Sequence, residues 1–414
     1  VHSGSPVVSH VARGNGATWS PLAGGMDGAV FALAVYDDGS SGPALYAAGD
    51  FLTAGGAPAA RIARWNGSAW SPVGGGLDPS GLGSEVRDMV VHDDGAGPAL
   101  YCAGFFASAG GLPAGHIAKW NGSSWSNLGG GVFGGVAQVS LRALQSFDDG
   151  QGEALYAAGT FTMAGGVSAH NLARWDGTAW SDAGYSTQLV IFELGVVDRG
   201  LGPQLVASDG FPGGALWARD PSGASWTEFA ATDEYVFALE NLDLGYGPRT
   251  FAGGSFRATT STAVLNHVAR WDVTEWTALG AGLEASALAF ATHDDGGGSG
   301  SQLYVAGTFE RAGPVESGHV VRWDGAAFHD VGGGLSGPGH ALVSFTDSGG
   351  PKLIAGGLFE TAGGVDARNV AQWNGSSWSA LAAGLNATVR ALTVFDDGNG
   401  PRLYAGGDFT SSAA

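Results

Sequence analysis

The chain of 414 residues holds one cysteine, Cys102, and two lysines, Lys119 and Lys352. A lone cysteine excludes an intramolecular disulfide, so no covalent staple holds this fold. Charged residues make up 14% of the sequence, and 38 acidic against 18 basic side chains leave a formal net charge of −20. A phosphate-binding surface needs clustered Lys and Arg, so this balance argues against nucleic acid as a partner. No apolar run approaches the ~20 residues of a bilayer-spanning helix. No helical hydrophobic period appears either. Nucleophile elbows, phosphate loops and zinc spacings are missing as well. No catalytic, cofactor-binding or metal-ligating residue is assigned, and the chain is expected to be neither an enzyme nor dependent on a cofactor.

Glycine, at 74 residues, and a hydrophobic share of 44% are what the chain has in quantity. Such a composition packs rather than staying disordered. Self-comparison shows a repeat of about 50 to 55 residues along the whole chain. One marker is an aromatic pair around a turn: "WNGSAW" (Trp65, Trp70), "WNGSSW" (Trp120, Trp125), "WDGTAW" (Trp175, Trp180), "WDVTEW" (Trp271, Trp276), "WDGAAF" (Trp323, Phe328) and "WNGSSW" (Trp373, Trp378). In "WARDPSGASW" (Trp217, Trp226) the turn is read as stretched. The second marker is an acidic turn such as "YDDGSSGPAL" or "FDDGNGPRL", which occurs eight times.

Each repeat reads as four short strands. An apolar strand ends at Asp-Asp-Gly, a small-residue strand follows ("PRLYAGGDF"), and Asn-Gly joins a third strand to a fourth. Asn-Gly and Asp-Gly supply the positive φ angles of two-residue hairpins. Tandem four-stranded units predict an all-β fold, a β-propeller of eight blades forming a single domain over residues 1–414. The segment "HVARGNGATWSPLAGG" (His10 to Gly25) holds a third and fourth strand without a first and second. Val389 to Phe409 holds the missing pair. The expectation is that 10–22 and 388–409 share the eighth blade and close the ring, because an open array leaves unpaired edges. The fourth blade, about 186–231, is the irregular one.

The order of a Gly pair, an aromatic third strand and a Trp in the fourth resembles the kelch repeat, as in "LYAAGDFLTAGGAPAARIARWNGSAWSPVGGG" (Leu45 to Gly76). The glycines here are shifted toward the loop. The "DDGxGPxLYAGGxF" form is also similar to tandem repeats in secreted bacterial proteins. These resemblances imply a propeller and often a protein- or carbohydrate-binding task, with no single activity. The copper ligands of galactose oxidase, which has the same fold, find no counterpart set: Cys102 lies where other repeats carry Ala47 and Ala157.

Four recurring features are candidates for chemistry. Asp37, Asp93, Asp148, Asp294 and Asp396 each precede Asp-Gly. They suit Asx-turns better than the alternating carboxylates of a calcium loop. The residue before the third strand is His10, Arg61, His116, Asn171, His267, His319 or Asn369, read as a hydrogen-bonding cap on the loop backbone. The Trp pairs are read as packing between blades, with the fourth-strand Trp near the outer edge and partly exposed. Asn66, Asn121, Asn374 and Asn386 match glycosylation acceptors and are equally ordinary turn residues.

Features that repeat argue for architecture, since an active site needs unique residues at one place. The expected role is a non-catalytic extracellular or cell-surface scaffold with a protein partner or self-association. In one version the end strands complete a neighbouring subunit and build fibres. The alternative is a carbohydrate-binding lectin with sites between blades.

Overall fold

The computed structural model describes residues 9–15, 18–78, 83–135, 138–185, 189–198, 202–210, 215–220, 223, 225–244, 247–258, 264–272, 275–298, 300–347, 349–398 and 400–412. Among them the regular structure is all β, with eight four-stranded antiparallel sheets. In the first sheet Val30–Tyr36, Ala44–Gly49, Ile62–Trp65 and Trp70–Pro72 are bonded in that order. Sheets two to seven repeat the order from Glu85, Ser140, Ile191, Val236, Ala287 and Gly339. The eighth is built from both chain ends, in the order Trp19–Pro21, Val11–Gly14, Pro401–Gly407, Val389–Asp396. Val11 stands opposite Gly406 and Gly14 opposite Leu403, within one chain.

The second strands are apolar on both faces because each sheet is covered on both sides. All six residues of Ala44–Gly49 are buried. Each apolar cluster joins two consecutive sheets. Tyr46 and Ile62 of the first pack with Val86, Leu100, Cys102 and Trp120 of the second. Val11, Phe395 and Tyr404 of the eighth pack with Val30, Leu45 and Trp65 of the first. Phe345 and Ile354 of the seventh pack with Leu403 and Phe409 of the eighth. Cys102 is fully buried and free, a small apolar residue in a tight interface.

Every first strand carries a bulge at the same place. Val30 faces Gly49 and Ala32 faces Ala48, which leaves Phe31 unpaired. The unpaired residue is Arg87, Arg142, Phe192, Phe237, Leu288, His340 and Arg390 in the sheets that follow. The crowding that makes the bulge accounts for the glycine across from it. A Cβ on Gly49 would lie 1.9 Å from the Ala29 carbonyl oxygen, and one on Gly104 2.2 Å from that of Glu85.

The fourth sheet departs from the others, and 186–188, 199–201, 211–214, 221–222 and 224 lie outside the described residues. Its aromatic pairing corrects the sequence reading. Trp226 stands opposite Arg219, where other sheets have the third-strand Trp, and Trp217 lies two residues earlier. The turn is stretched, but between Arg219 and Trp226 rather than from Trp217: the Asp220 amide donates to the Ser225 carbonyl at 2.8 Å, where in the first sheet Asn66 donates to Ala69. Trp217 instead donates its indole N–H to Asp209 at 3.0 Å. Asp209 occupies the place held by Gly49 in the first sheet.

Candidate functional site

The acidic turns are Asx-turns. Asp37 accepts from the Gly39 amide at 2.9 Å, and Asp93 from Gly95 and Gly97 at 2.9 and 3.0 Å. Among the described residues no three of His, Cys, Asp and Glu gather where a metal ion would sit. The second aspartate of four of these turns has a separate task that the sequence reading missed. Asp38 accepts from the Tyr46 hydroxyl at 3.0 Å and pairs with the Arg64 Nε at 2.7 Å. Asp94 does the same with Tyr101 and Lys119, Asp149 with Tyr156 and Arg174, and Asp397 with Tyr404 and Arg13. Burial and the neighbouring aspartate push the Tyr46 and Tyr101 hydroxyls well above the ordinary tyrosine value. The signal was present in "DDG", "LY" and the basic third-strand residue, but the three meet only once strand register is set.

The loop residues share a backbone state rather than a side-chain role. His10, Arg61, His116, Asn171, His267, His319 and Asn369 have φ between 62° and 71°. Asn and His tolerate that left-handed region better than most residues. Their amides donate to the carbonyl of a Phe in the second strand's exit, as Arg61 does to Phe51 at 2.7 Å and His116 to Phe106 at 2.9 Å. The cap reading holds for Asn171 and Asn369, whose amides bridge Phe161 to Leu189 and Phe359 to Leu385. Arg61 and His10 also bond loop carbonyls. It fails for His116, whose Nδ1 is buried without a partner, whereas His267 and His319 lean on the backbone at Gly254 and Gly307; burial lowers the pKa of all three.

The fourth-strand indoles are not exposed at an edge. Trp70, Trp125, Trp180, Trp276 and Trp378 are all at most 7% accessible. They pack against the third-strand Trp at centroid distances of 5.2 to 5.5 Å. The next sheet back supplies acceptors: Trp70 donates to Leu22 O, Trp125 to Val73 O, Trp180 to Leu128 O and Trp378 to Val331 O, at 2.5 to 2.9 Å. The sequence could not reveal which neighbour covers them.

What the repeats do not consume is the pocket lined by Phe31, Glu85, Arg87, Arg142, Phe192 and Arg390, about 540 Å³ in volume. Five of its six residues, all but Glu85, are the bulged residues of the first strands, so five sheets converge there. A bulge re-aims the side chain it frees, and that is how three arginines reach one mouth. Arg87 pairs with Glu85, and Arg390 makes two 2.8 Å bonds to Asp408. The Arg142 guanidinium lies 4.9 Å from the Phe192 ring centroid. One residue further along two of these strands stand Asp88, which accepts from the Met89 and Leu144 amides, and Glu193. Burial, then Asp88 and Glu240, pushes Glu193 up to about 8, and burial raises Asp88 and Glu240 too.

No family model and no curated protein matches the sequence. The structure is similar to the Dos1 propeller, at 12% identity and a TM-score of 0.53, over 92% of this chain and 93% of that one. It is also similar to BBS1N, solved in complex with ARL6DN (11%, 0.42, over 80% and 91%), and to YCF48 from Cyanidioschyzon merolae (13%, 0.40, over 81% and 98%). Identities this low speak to fold alone, and the likeness to the Dos1 propeller, together with the repeated four-stranded sheets, makes this chain a β-propeller.

Proposed function

We propose that the eight sheets are the blades of one closed, single-domain propeller, kelch-like in its repeat, that serves as a non-catalytic interaction scaffold outside the cell. The pairing of Val11–Gly14 with Pro401–Gly407 is the observation that carries closure. It is supported by the side-by-side packing of Val389–Asp396 against Val30–Tyr36. The scaffold reading is supported by where the recurring chemistry goes. Asp38, Trp125 and Asn369, and their equivalents, are spent on turns and on bonds between sheets. The extracellular location rests on the resemblance to repeats of secreted bacterial proteins.

The end strands pair within one chain, which favours a discrete disc over the fibre in which subunits exchange strands. Light scattering of the full chain at rising concentration tests this, and steady growth in mass would reverse it. A glycan array tests the lectin alternative. Buried indoles offer no stacking face, so silence across a broad array is expected, and multivalent sugar binding would replace the scaffold reading. Deleting residues 1–22 removes half of the eighth sheet and is expected to lower the melting temperature sharply. An unchanged melt would refute closure.

A further inference from the structure

We infer that the pocket at the bulged residues binds a small organic carboxylate with an aromatic or apolar body. The inference stands apart from the scaffold reading, because it rests on side chains that do not repeat. The chain is acidic overall, yet this mouth gathers Arg87, Arg142 and Arg390. Two of the three have carboxylates of their own, Glu85 and Asp408. Arg142 has no ion-pair partner among the described residues, and its Nε is buried without an acceptor. Burial and the neighbouring Arg87 press against its charge more than Glu85 supports it. An anion seated there relieves both effects.

The geometry selects the kind of anion. The Arg142 guanidinium lies over the Phe192 ring at 4.9 Å, and a guanidinium is the group that grips a carboxylate with two parallel hydrogen bonds. Phe31, under Arg390 at 5.8 Å, adds a second aromatic wall. A volume of about 540 Å³ suits a small molecule. A bare inorganic ion would use the arginine and leave both phenyl rings unused. Equivalent positions carry Phe237, Leu288 and His340, so the fold tolerates many residues at this bulge and the arginines are not there to hold the strand.

The test uses the full chain, with benzoate, phenylacetate and inorganic phosphate as probes in ligand-observed NMR and calorimetry. Saturable one-to-one binding of an aromatic carboxylate is expected, with phosphate weaker. Arg142→Gln should weaken it at least about tenfold, while Arg142→Lys retains part of it. Arg249→Gln removes a distant arginine and the same charge, and should leave affinity unchanged. Melting curves of each variant establish that it is folded. Binding that is absent, equally weakened by Arg142→Gln and Arg249→Gln, or as strong for phosphate as for benzoate would overturn the inference.

Discussion

The indole N–H of Trp125 donates to the backbone carbonyl of Val73, 52 residues earlier, at 2.9 Å. The two residues belong to neighbouring sheets, so one side chain both fills its own sheet's cluster and bonds it to the sheet before. Trp125→Phe keeps most of the ring volume and loses the bond. It is expected to cost about 1 kcal/mol, while Trp125→Ala opens a cavity and costs about 3–5 kcal/mol. Urea unfolding checks both. Equal losses would mean that the hydrogen bond alone holds this position, and no loss in the phenylalanine variant that packing alone does.

Turns of adjacent sheets also interlock. Gly122, in the Asn-Gly turn of the second sheet, has φ +92°, and a Cβ there would sit 2.5 Å from the Asp38 carbonyl oxygen of the first sheet's acidic turn. Gly39 has φ +75° and open space around it. Gly39→Ala should therefore cost only the backbone strain, ~1 kcal/mol, and Gly122→Ala roughly 2–4 kcal/mol. Thermal denaturation of the pair separates strain from collision, and equal shifts would deny the interlock.

Turn chemistry is why so much of the fold was legible. Asn-Gly, Asp-Asp-Gly and "AGG" act locally, and they mark the strand ends of a four-strand unit without knowledge of its neighbours. The union of His10–Gly25 with Val389–Phe409 followed from counting strands. What stayed hidden needs register or a covering surface. Asp38, Tyr46 and Arg64 lie on different elements and meet only across paired strands. Phe31 and Arg142 read as ordinary strand residues until the bulge removes their partners. At Trp217 residue type misled: a matching Trp outweighed the register that puts Arg219 across from Trp226.

Acid should weaken the protein through the hydrogen-bonded aspartates of its turns. Burial alone would raise Asp94, but hydrogen bonds from Lys119 and Tyr101 outweigh it and hold the carboxyl below its usual range. Asp324 is held at about 2, its own burial opposed by the amides of Ala327 and Ala326 and by His329. A depressed native value stabilises above the unfolded carboxylate value and is lost as pH falls through the native one. Melting temperature is expected to hold from pH 7 to pH 5 and to fall between about pH 4 and pH 2. Asp94→Asn should lower the neutral-pH melt and flatten the acid limb.

Alkali should act in the opposite sense through Glu193. Its native value, raised by burial and then by Asp88 and Glu240 to about 8, lies above the unfolded one. The folded chain then holds a proton that the unfolded chain gives up, so stability declines as pH rises from about 5 through 8. Glu193→Gln keeps the shape without the charge. It is expected to remove the decline and to stabilise the protein at pH 9 by roughly 2 kcal/mol. A decline that survives the substitution would place its origin elsewhere.

Arg219 replaces an indole with a buried cation, and the replacement is testable as such. It donates to Asp149 through Nε and Nη2 at 3.2 and 3.0 Å and to the Ala183 carbonyl, between the rings of Tyr156 and Trp226. Arg219→Ala removes one charge of a buried pair and leaves a void, at an expected cost of about 3–5 kcal/mol. Arg219→Trp restores the residue that the other sheets carry. Asp149 would keep Tyr156 and Arg174, the two partners that suffice for Asp38 as Tyr46 and Arg64. The Ala183 carbonyl would keep its bond from the Trp226 indole, at 2.8 Å. The tryptophan variant should thus lose less than about 1.5 kcal/mol in urea unfolding. If it unfolds as easily as the alanine variant, Arg219 is not a substituted member of the aromatic pair, and the fourth sheet is built on a plan of its own.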